Sequence, residues 1–142
     1  MDITQARNEI FGQFRTTWLA DGASSGVPVM YPDLGDQQPP TTGAWVRINI
    51  KHLSGGQSSL AGAVGTRMFT HGGFITVQIF TVFGEGQTQA DALTVIVKRA
   101  FEGVTTSPGR VMFRNVRVNE VGQDGQWFQT NVIADFEYDE VK

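Results

Sequence analysis

The sequence contains no cysteine and only two histidines in 142 residues. The absence of cysteine excludes disulfide frameworks, thiolate zinc sites and cysteine nucleophiles. Charged residues make up 18% of the chain, and a net charge of −3 provides no overall attraction to nucleic acid. The chain also lacks an apolar run long enough for a membrane span, and its start, MDITQARNEI, lacks the apolar block of a signal peptide. We therefore expect a soluble, unprocessed protein with no membrane partner. The absence of cysteine favours the cytosol but leaves the redox compartment open.

The residues that are plentiful are those that build a packed core. Hydrophobic residues make up 40% of the chain, and ten residues are phenylalanine. A chain of this length buries roughly two thirds of its unfolded surface, which is enough for a core without disulfides or metals. We expect a single domain over residues 1–142 and no cofactor.

The order of the predicted elements indicates the fold class. Asp2 with Gln5 resembles a helix N-cap, and apolar residues at helical spacing predict a helix that ends at Asp21-Gly22, with its stripe at Ile3, Ala6, Ile10, Phe14 and Trp18. Alternating or apolar runs predict strands in AWVRINIKH, RMFTH, FITVQIFTVFG, RVMFRNVRVNEV and GQWFQTNVIADFEYDE. These strands do not alternate regularly with helices, as a parallel sheet would require. The predicted class is α+β, with one mainly antiparallel β-sheet and two α-helices packed on one face.

Turn and bulge signals refine this prediction. Gly72-Gly73 separates two apolar runs and indicates either a bulge in a continuing strand or a tight hairpin. GQDG, at residues 122–125, supplies turn residues for a hairpin. Val111 and Phe113 are out of parity with Val116 and Val118, which a bulge near Arg114 would repair.

The stretch VFGEGQTQADALTVIVKRAFEG, residues 82–103, invites comparison with phosphate-binding loops. Gly84-Glu85-Gly86 lacks the third glycine of a dinucleotide-binding loop, and Glu85 would place a carboxylate where a phosphate must lie. The strands that follow form a hairpin rather than a parallel partner. We interpret the glycines as a turn before a second helix, where Thr88 and Asp91 resemble a capping box.

Catalytic motifs have simpler structural explanations. GASSG, at residues 22–26, matches the GxSxG string of serine hydrolases, but it follows a helix, whereas a nucleophile elbow follows a strand. His52 and His71 are isolated from other metal ligands, which makes a poor metal site. No enzyme signature remains, and the chain is expected not to be an enzyme.

Two groups of charged residues each allow two interpretations, one structural and one functional. Acidic residues on one strand face could meet a hard cation or form a solvated face; they are Asp135, Glu137 and Asp139. Basic residues on the preceding strand could contact phosphate or pair with those acids; they are Arg110, Arg114 and Arg117.

Two segments predict surfaces that contact other subunits. A proline arm, residues 27–43, cannot form a helix and leaves room for one very short edge strand at Val29–Tyr31. The second segment is a Gly/Ser-rich loop, residues 54–65 within LSGGQSSLAGAVGT. It follows a strand but lacks the alternation of apolar residues that the strand shows. Loops of this kind are uncommon in compact domains unless they bind something or are disordered when free.

The arm and several later motifs resemble the tail terminator, or tail completion, proteins of long-tailed bacteriophages. The arm and first strand, VPVMYPDLGDQQPPTTGAWVRINI, match at Pro28, Val29, Tyr31, Pro32, Pro39, Pro40, Trp45, Val46 and Arg47. The resemblance continues through Arg67, GGFITVQIFTVFGEG, the helix after it and DGQWFQTNV, and so extends over nearly the whole chain. The chain departs from the family at DLGDQQ, where an Asn and an apolar residue are often found.

The resemblance implies a structural virion protein that forms a hexameric ring on the completed phage tail tube. Such a ring ends tube polymerisation and provides the docking surface for the head-tail connector, or neck, of the capsid. Its implied partners are further copies of itself, the tail tube protein and the neck protein. DNA would pass through its lumen without sequence-specific binding. The implied location is the virion, at the tail end proximal to the head, after assembly in the host cytoplasm.

These implications assign two hypothetical surfaces. The subunit interface would comprise Val29, Tyr31, Pro32, Pro39, Pro40, Trp45 and Arg47. The loop that docks on the tube or neck would comprise Leu53, Gln57, Leu60, Val64 and Arg67. Trp18 is expected in the core, whereas Trp45 and Trp127 are expected near sheet ends and close to interfaces. The alternative function is another tail or neck component, either a tail tube subunit or a head-completion protein in head-tail joining.

Overall fold

The structure is a computed structural model that describes residues 1–32, 38–57, 59 and 62–142. It contains two helices, α1 (Ile3–Ala20) and α2 (Thr88–Phe101), and five strands, which are β1 (Val29–Met30), β2 (Trp45–Gln57), β3 (Met68–Val82), β4 (Met112–Asp124) and β5 (Trp127–Val141). Within the described ranges, neither helix is long and apolar enough to cross a membrane.

The strands form one sheet in the order β1-β2-β3-β5-β4. Only the two-residue β1 runs parallel to its neighbour, and all other pairs are antiparallel. Both helices pack on one face of this sheet, where their apolar stripes meet Val46, Ile48, Ile75, Val77, Val132, Ala134 and Phe136. The predicted α+β class with two helices on one face is confirmed.

Helix α1 forms as its sequence predicts. The Asp2 carboxylate accepts a hydrogen bond from Gln5 N at 2.8 Å and so caps the first turn. The buried stripe consists of Ala6, Ile10, Phe14 and Trp18. Ile3, which was expected in this stripe, is half exposed because it lies in the first turn, at the end of the sheet.

Strand β2 is longer than its alternating pattern indicates. Residues Ser54 to Gln57 continue the strand and pair with residues Phe69 to Gly72 of β3. The register shifts between His52 and Ser54, so the bulge lies in β2, and the Gly72-Gly73 pair lies within one continuous β3. The predicted flexible loop at 54–65 is therefore wrong in its first four residues, because cross-strand backbone hydrogen bonds hold them although they lack apolar periodicity.

The β4–β5 hairpin confirms the predicted bulge and corrects the predicted turn. The register shifts between Arg114 and Arg117, and Asn115 adopts a positive φ of 54° there. Asp124 pairs with Trp127, so the turn residues are Gly125 and Gln126 rather than GQDG. A second register shift lies between Glu120 and Gly122.

The glycines before α2 turn the chain, as expected. Gly84 and Gly86 have φ values of 95° and 87°, a backbone conformation that residues with a Cβ rarely adopt. The predicted capping box is wrong, because Thr88 is the first residue of α2, the N-cap is Gln87, and no side chain in the described part of the chain caps the helix. Asp91 nevertheless lies in the first turn, where a carboxylate interacts favourably with the helix dipole.

Candidate interaction surfaces

The serine of the GASSG motif is part of a helix end rather than a nucleophile. Ser24 is buried, and its hydroxyl donates to the backbone carbonyls of Trp18 and Asp21. Asp21 caps the short 3-10 turn Gly22–Ser24 by accepting from Ala23 N at 2.9 Å. This hydrogen bond and the Arg99 guanidinium at 3.0 Å lower the pKa of the Asp21 carboxyl. The motif therefore connects α1 to the arm.

The two histidines converge on one tyrosine at the end of the sheet. His52 Nε2 lies 2.9 Å from the Tyr138 hydroxyl, and the His71 and Tyr138 rings are 5.3 Å apart. His71 Nε2 also lies 3.1 Å from Glu140 Oε1. Their convergence was not predicted, because only strand pairing brings β2, β3 and β5 together here. Within the described residues, no three or more His, Cys, Asp or Glu side chains could hold a metal ion.

The environment of His52 favours its neutral form. Burial lowers the pKa of His52, and the positive charges of Arg7 and His71 lower it further. Burial also raises the pKa of the Tyr138 hydroxyl, with a further contribution from Glu140. Several charged or titratable groups surround the His52 ring. The N-terminal segment contributes Asp2 and Arg7, and β3 contributes His71. The C-terminal end of the chain contributes Tyr138, Glu140 and Lys142.

We expect this arrangement to make stability depend on pH. Because the folded-state pKa of His52 lies below its ordinary value of 6.5, the unfolded chain binds more protons in the window just below that pH. The free energy of unfolding should therefore be highest above about pH 6.5 and should fall as the pH drops from 7.5 to 5.

Urea denaturation at several pH values would test this expectation. The control is His52→Gln, which keeps a hydrogen-bonding group near Tyr138 but does not titrate, and this variant should lose less stability over the same interval. Equal pH slopes for the parent and the variant would contradict the assignment to His52.

The charged face of the β4–β5 hairpin is an ion-pair ladder. Arg114 pairs with Glu137 at 2.9 Å, and Arg117 pairs with Asp135 at 3.2 Å. The third acid of this face, Asp139, accepts from the Thr70 hydroxyl at 2.8 Å. Of the two alternatives for the basic residues, the structure therefore shows pairing with the acidic strand for Arg114 and Arg117.

An aromatic cluster lies on the sheet face opposite the helices. The Trp45 and Phe80 rings stack with centroids 4.1 Å apart, and Trp127 meets Trp45 edge-on at 6.3 Å. The Arg47 guanidinium lies over both stacked rings, 5.2 Å from the Trp45 centroid. Trp45 is only 4% exposed, and its indole N–H is buried with no acceptor among the described residues. Trp45 and Trp127 thus lie at a sheet end, as expected, and they shield part of an otherwise solvated face.

The structure divides the hypothetical subunit interface between two faces. Val29 and Tyr31 pack on the helix side, where the Tyr31 ring meets Phe11 edge-on at 5.5 Å. Trp45 and Arg47 lie on the opposite face. Pro32 and Pro39 are exposed and Pro40 is half-buried, while residues 33–37 of the arm lie outside the described residues. The sequence placed these residues in one segment, but the parallel pairing of β1 with β2 separates their side chains.

The residues of the hypothetical docking loop lie partly in β2 and partly in the connection between β2 and β3. Leu53 and Gln57 belong to β2, where the Leu53 side chain is 62% exposed. Val64 is 83% exposed, and Arg67 Nε donates to Gly62 O at 2.9 Å and so closes the connection before β3. Leu60 lies outside the described residues. The described part therefore presents one apolar side chain on the strand and another in the connection.

Both flanks of the sheet carry strand edges that are open within the described part of the chain. β4 is thirteen residues long and pairs with β5 on one side only, apart from one bridge between Thr105 and Met112. The other flank is β2, where β1 pairs only with Val46 and Arg47. Val118 and Val121 of β4 are both exposed. Exposed strand edges of this length can pair with another chain.

Comparisons with known proteins place this fold among solved structures. No family model matches the sequence, and no curated protein matches it. One solved chain, whose description states no function, matches with a TM-score of 0.73 and 14% identity over 97% of this chain and 96% of that chain. A chain from the virion of a native gene transfer agent particle matches with a TM-score of 0.51 and 15% identity over 94% of this chain and 93% of that chain. At these identities, the comparisons show that this chain has the same fold as both solved structures, and nothing further.

Proposed function

We propose that this protein is a structural component of a phage-type virion, and specifically a tail terminator. In this role it forms a hexameric ring on the finished tail tube, ends tube polymerisation and presents a docking surface to the neck. DNA passes through the ring without sequence-specific binding, and the protein has no enzymatic role.

The observation that carries the proposal is the likeness to a chain of the gene transfer agent virion. The match extends over 94% of this chain and 93% of that chain, so it is not confined to one part of the fold. The resemblance of the arm and the strand motifs to tail terminators supports the finer assignment.

The described surfaces are consistent with a protein that acts by assembly. No enzymatic centre emerges from the described residues, since Ser24 is buried and the histidines contact Tyr138 and Glu140. The open edges of β2 and β4 and the exposed side chains of Leu53 and Val64 are features of a subunit that contacts other chains.

The test is electron microscopy of the purified protein mixed with the tube protein of the same particle. We expect rings of six subunits in the protein alone and capped tubes of limited length in the mixture. A tube subunit would instead polymerise by itself, and a head-completion protein would bind the portal and leave tubes uncapped. Either of these results would replace the proposal with the alternative tail or neck role.

Shortening the connection between β2 and β3 should separate ring formation from tube capping. Replacing residues 58–66 with a four-residue turn should preserve folding, because loop length costs little free energy. Rings should also persist, because the described residues of the connection, Ser59 and residues 62–66, contribute nothing to the hydrophobic core. Tube capping should be lost if Val64 and its neighbours make the docking contact. A shortened protein that caps tubes as well as the parent would contradict the docking role.

A further inference from the structure

A groove lies between α1 and the start of the arm. Its outer part, about 410 Å³, is lined by Asn8, Phe11, Gly12, Arg15, Tyr31 and Pro32. A second depression of about 670 Å³ continues from it towards Leu19 and shares Arg15 and Tyr31 with it. The edge-on rings of Phe11 and Tyr31 form the apolar floor of the outer part.

Gly12 indicates that something approaches the helix closely at this groove. A glycine inside a helix costs about 1 kcal/mol relative to alanine. A Cβ added at Gly12 would meet no atom of the described residues within 4 Å, so packing among the described residues does not require glycine. A chain that packs against α1 from outside accounts for the missing side chain.

The charge of the groove restricts what can occupy it. Arg15 is exposed, and no described carboxylate forms an ion pair with it. An occupant with a large apolar side chain next to a carboxylate would cover the aromatic floor and neutralise Arg15 together.

The turn between β3 and α2 has an exposed aromatic side chain close to a carboxylate, and backbone hydrogen bonds hold this turn in place. Phe83 is 49% exposed although it is a large aromatic residue, and Glu85 two residues later is exposed and has no ion pair with a described cation. Phe83 N donates to Gln126 O at 3.0 Å and Glu85 N to Val82 O at 3.4 Å, which holds the turn in place. A turn that is already ordered loses little entropy when it docks.

We propose that the Phe83–Gly86 turn of one copy docks in the α1 groove of the next copy, with Phe83 on the aromatic floor and Glu85 at Arg15. The two surfaces belong to different parts of the subunit, so the contact is head-to-tail. Head-to-tail contacts that close generate rings, whereas a patch that contacts itself generates two-fold dimers. The inference rests on the proposed ring and identifies the contact that builds it.

Cysteine cross-linking tests the contact directly, because the natural chain has no cysteine. The double variant Gly12→Cys/Glu85→Cys should give a ladder of covalent oligomers under mild oxidation. The matched control, Gly12→Cys/Val95→Cys, has its second thiol on an exposed position of α2 and should give no ladder above that of either single variant.

A charge exchange provides the second measurement. Arg15→Glu and Glu85→Arg alone should each raise the protein concentration needed for assembly by about tenfold. The combined variant should restore assembly towards the parent value. Gly12→Ala should fold at least as stably as the parent but assemble less well, because its Cβ meets the docked turn, and Gly12→Trp should fold but fail to assemble because the indole fills the groove.

The outcomes separate this contact from the proposed function. Oligomers without the cross-link ladder would overturn the contact and leave the ring intact. A monomer at every concentration, without a ladder, would overturn both the contact and the ring. A ladder from a protein that does not cap tubes would support the contact and overturn the terminator role.

Discussion

Replacing Gly73 with alanine is expected to lower the free energy of unfolding by about 4 kcal/mol, near the upper end for a single substitution. An alanine Cβ at this position would lie 2.0 Å from Lys51 O and 2.9 Å from His52 Cα, which are backbone atoms of β2. Backbone atoms in a paired strand cannot rotate away as a side chain can. The two central strands must therefore separate at the point where the β2 bulge brings them together.

Urea denaturation and the melting temperature measure this effect. Gly56→Ala is the matched control, because Gly56 lies on β2, in the same strand pair, and an added Cβ there meets no atom of the described residues within 4 Å. The control should stay within about 1 kcal/mol of the parent. If the two variants unfold at the same urea concentration, Gly73 is not required by close backbone packing.

Replacing Trp18 with alanine is expected to cost about 3–5 kcal/mol, as large-to-small changes in a core do. Trp18 is 3% exposed and stacks on Phe14 with ring centroids 5.4 Å apart. Its indole N–H donates to Val27 O at 3.4 Å, so the substitution also removes a link between α1 and the arm. The melting temperature should fall by roughly 10–17 °C.

The adjacent Leu19 provides the control for Trp18. Its side chain is 71% exposed, so Leu19→Ala should change stability by less than about 0.5 kcal/mol. A Trp18→Ala protein that melts within a few degrees of the parent would contradict the central position of the indole in the core.

The sequence predicted those elements whose side chains repeat with a clear period. The stripe from Ala6 to Trp18 and the alternation from Val46 to Ile50 both lie in the core as expected. The break in parity around Arg114 correctly indicated a bulge. The sequence missed the extension of β2 through Gln57, because Gly and Ser carry no apolar signal and only pairing with β3 holds them in a strand.

The candidate surfaces were less predictable than the fold. Val29, Tyr31, Trp45 and Arg47 occur close together in one motif, and the sequence suggested a single interface. The sheet separates them, because alternate residues of a strand point to opposite faces. The α1 groove was not predicted, because Gly12 and Arg15 are ordinary helix-surface residues until Tyr31 and Pro32 pack beside them.

The sequence by itself determined the α+β class, the absence of thiol chemistry, the buried stripe of α1 and the turns at Gly84 and Gly86. These features depend on residue type and local spacing, which each segment carries independently. Only the tertiary structure decided the strand order, the meeting of His52 and His71 at Tyr138, and the close approach at Gly73. Each of these requires strands from distant parts of the chain to pair in one register, and that register is set by the shared core rather than by any single segment.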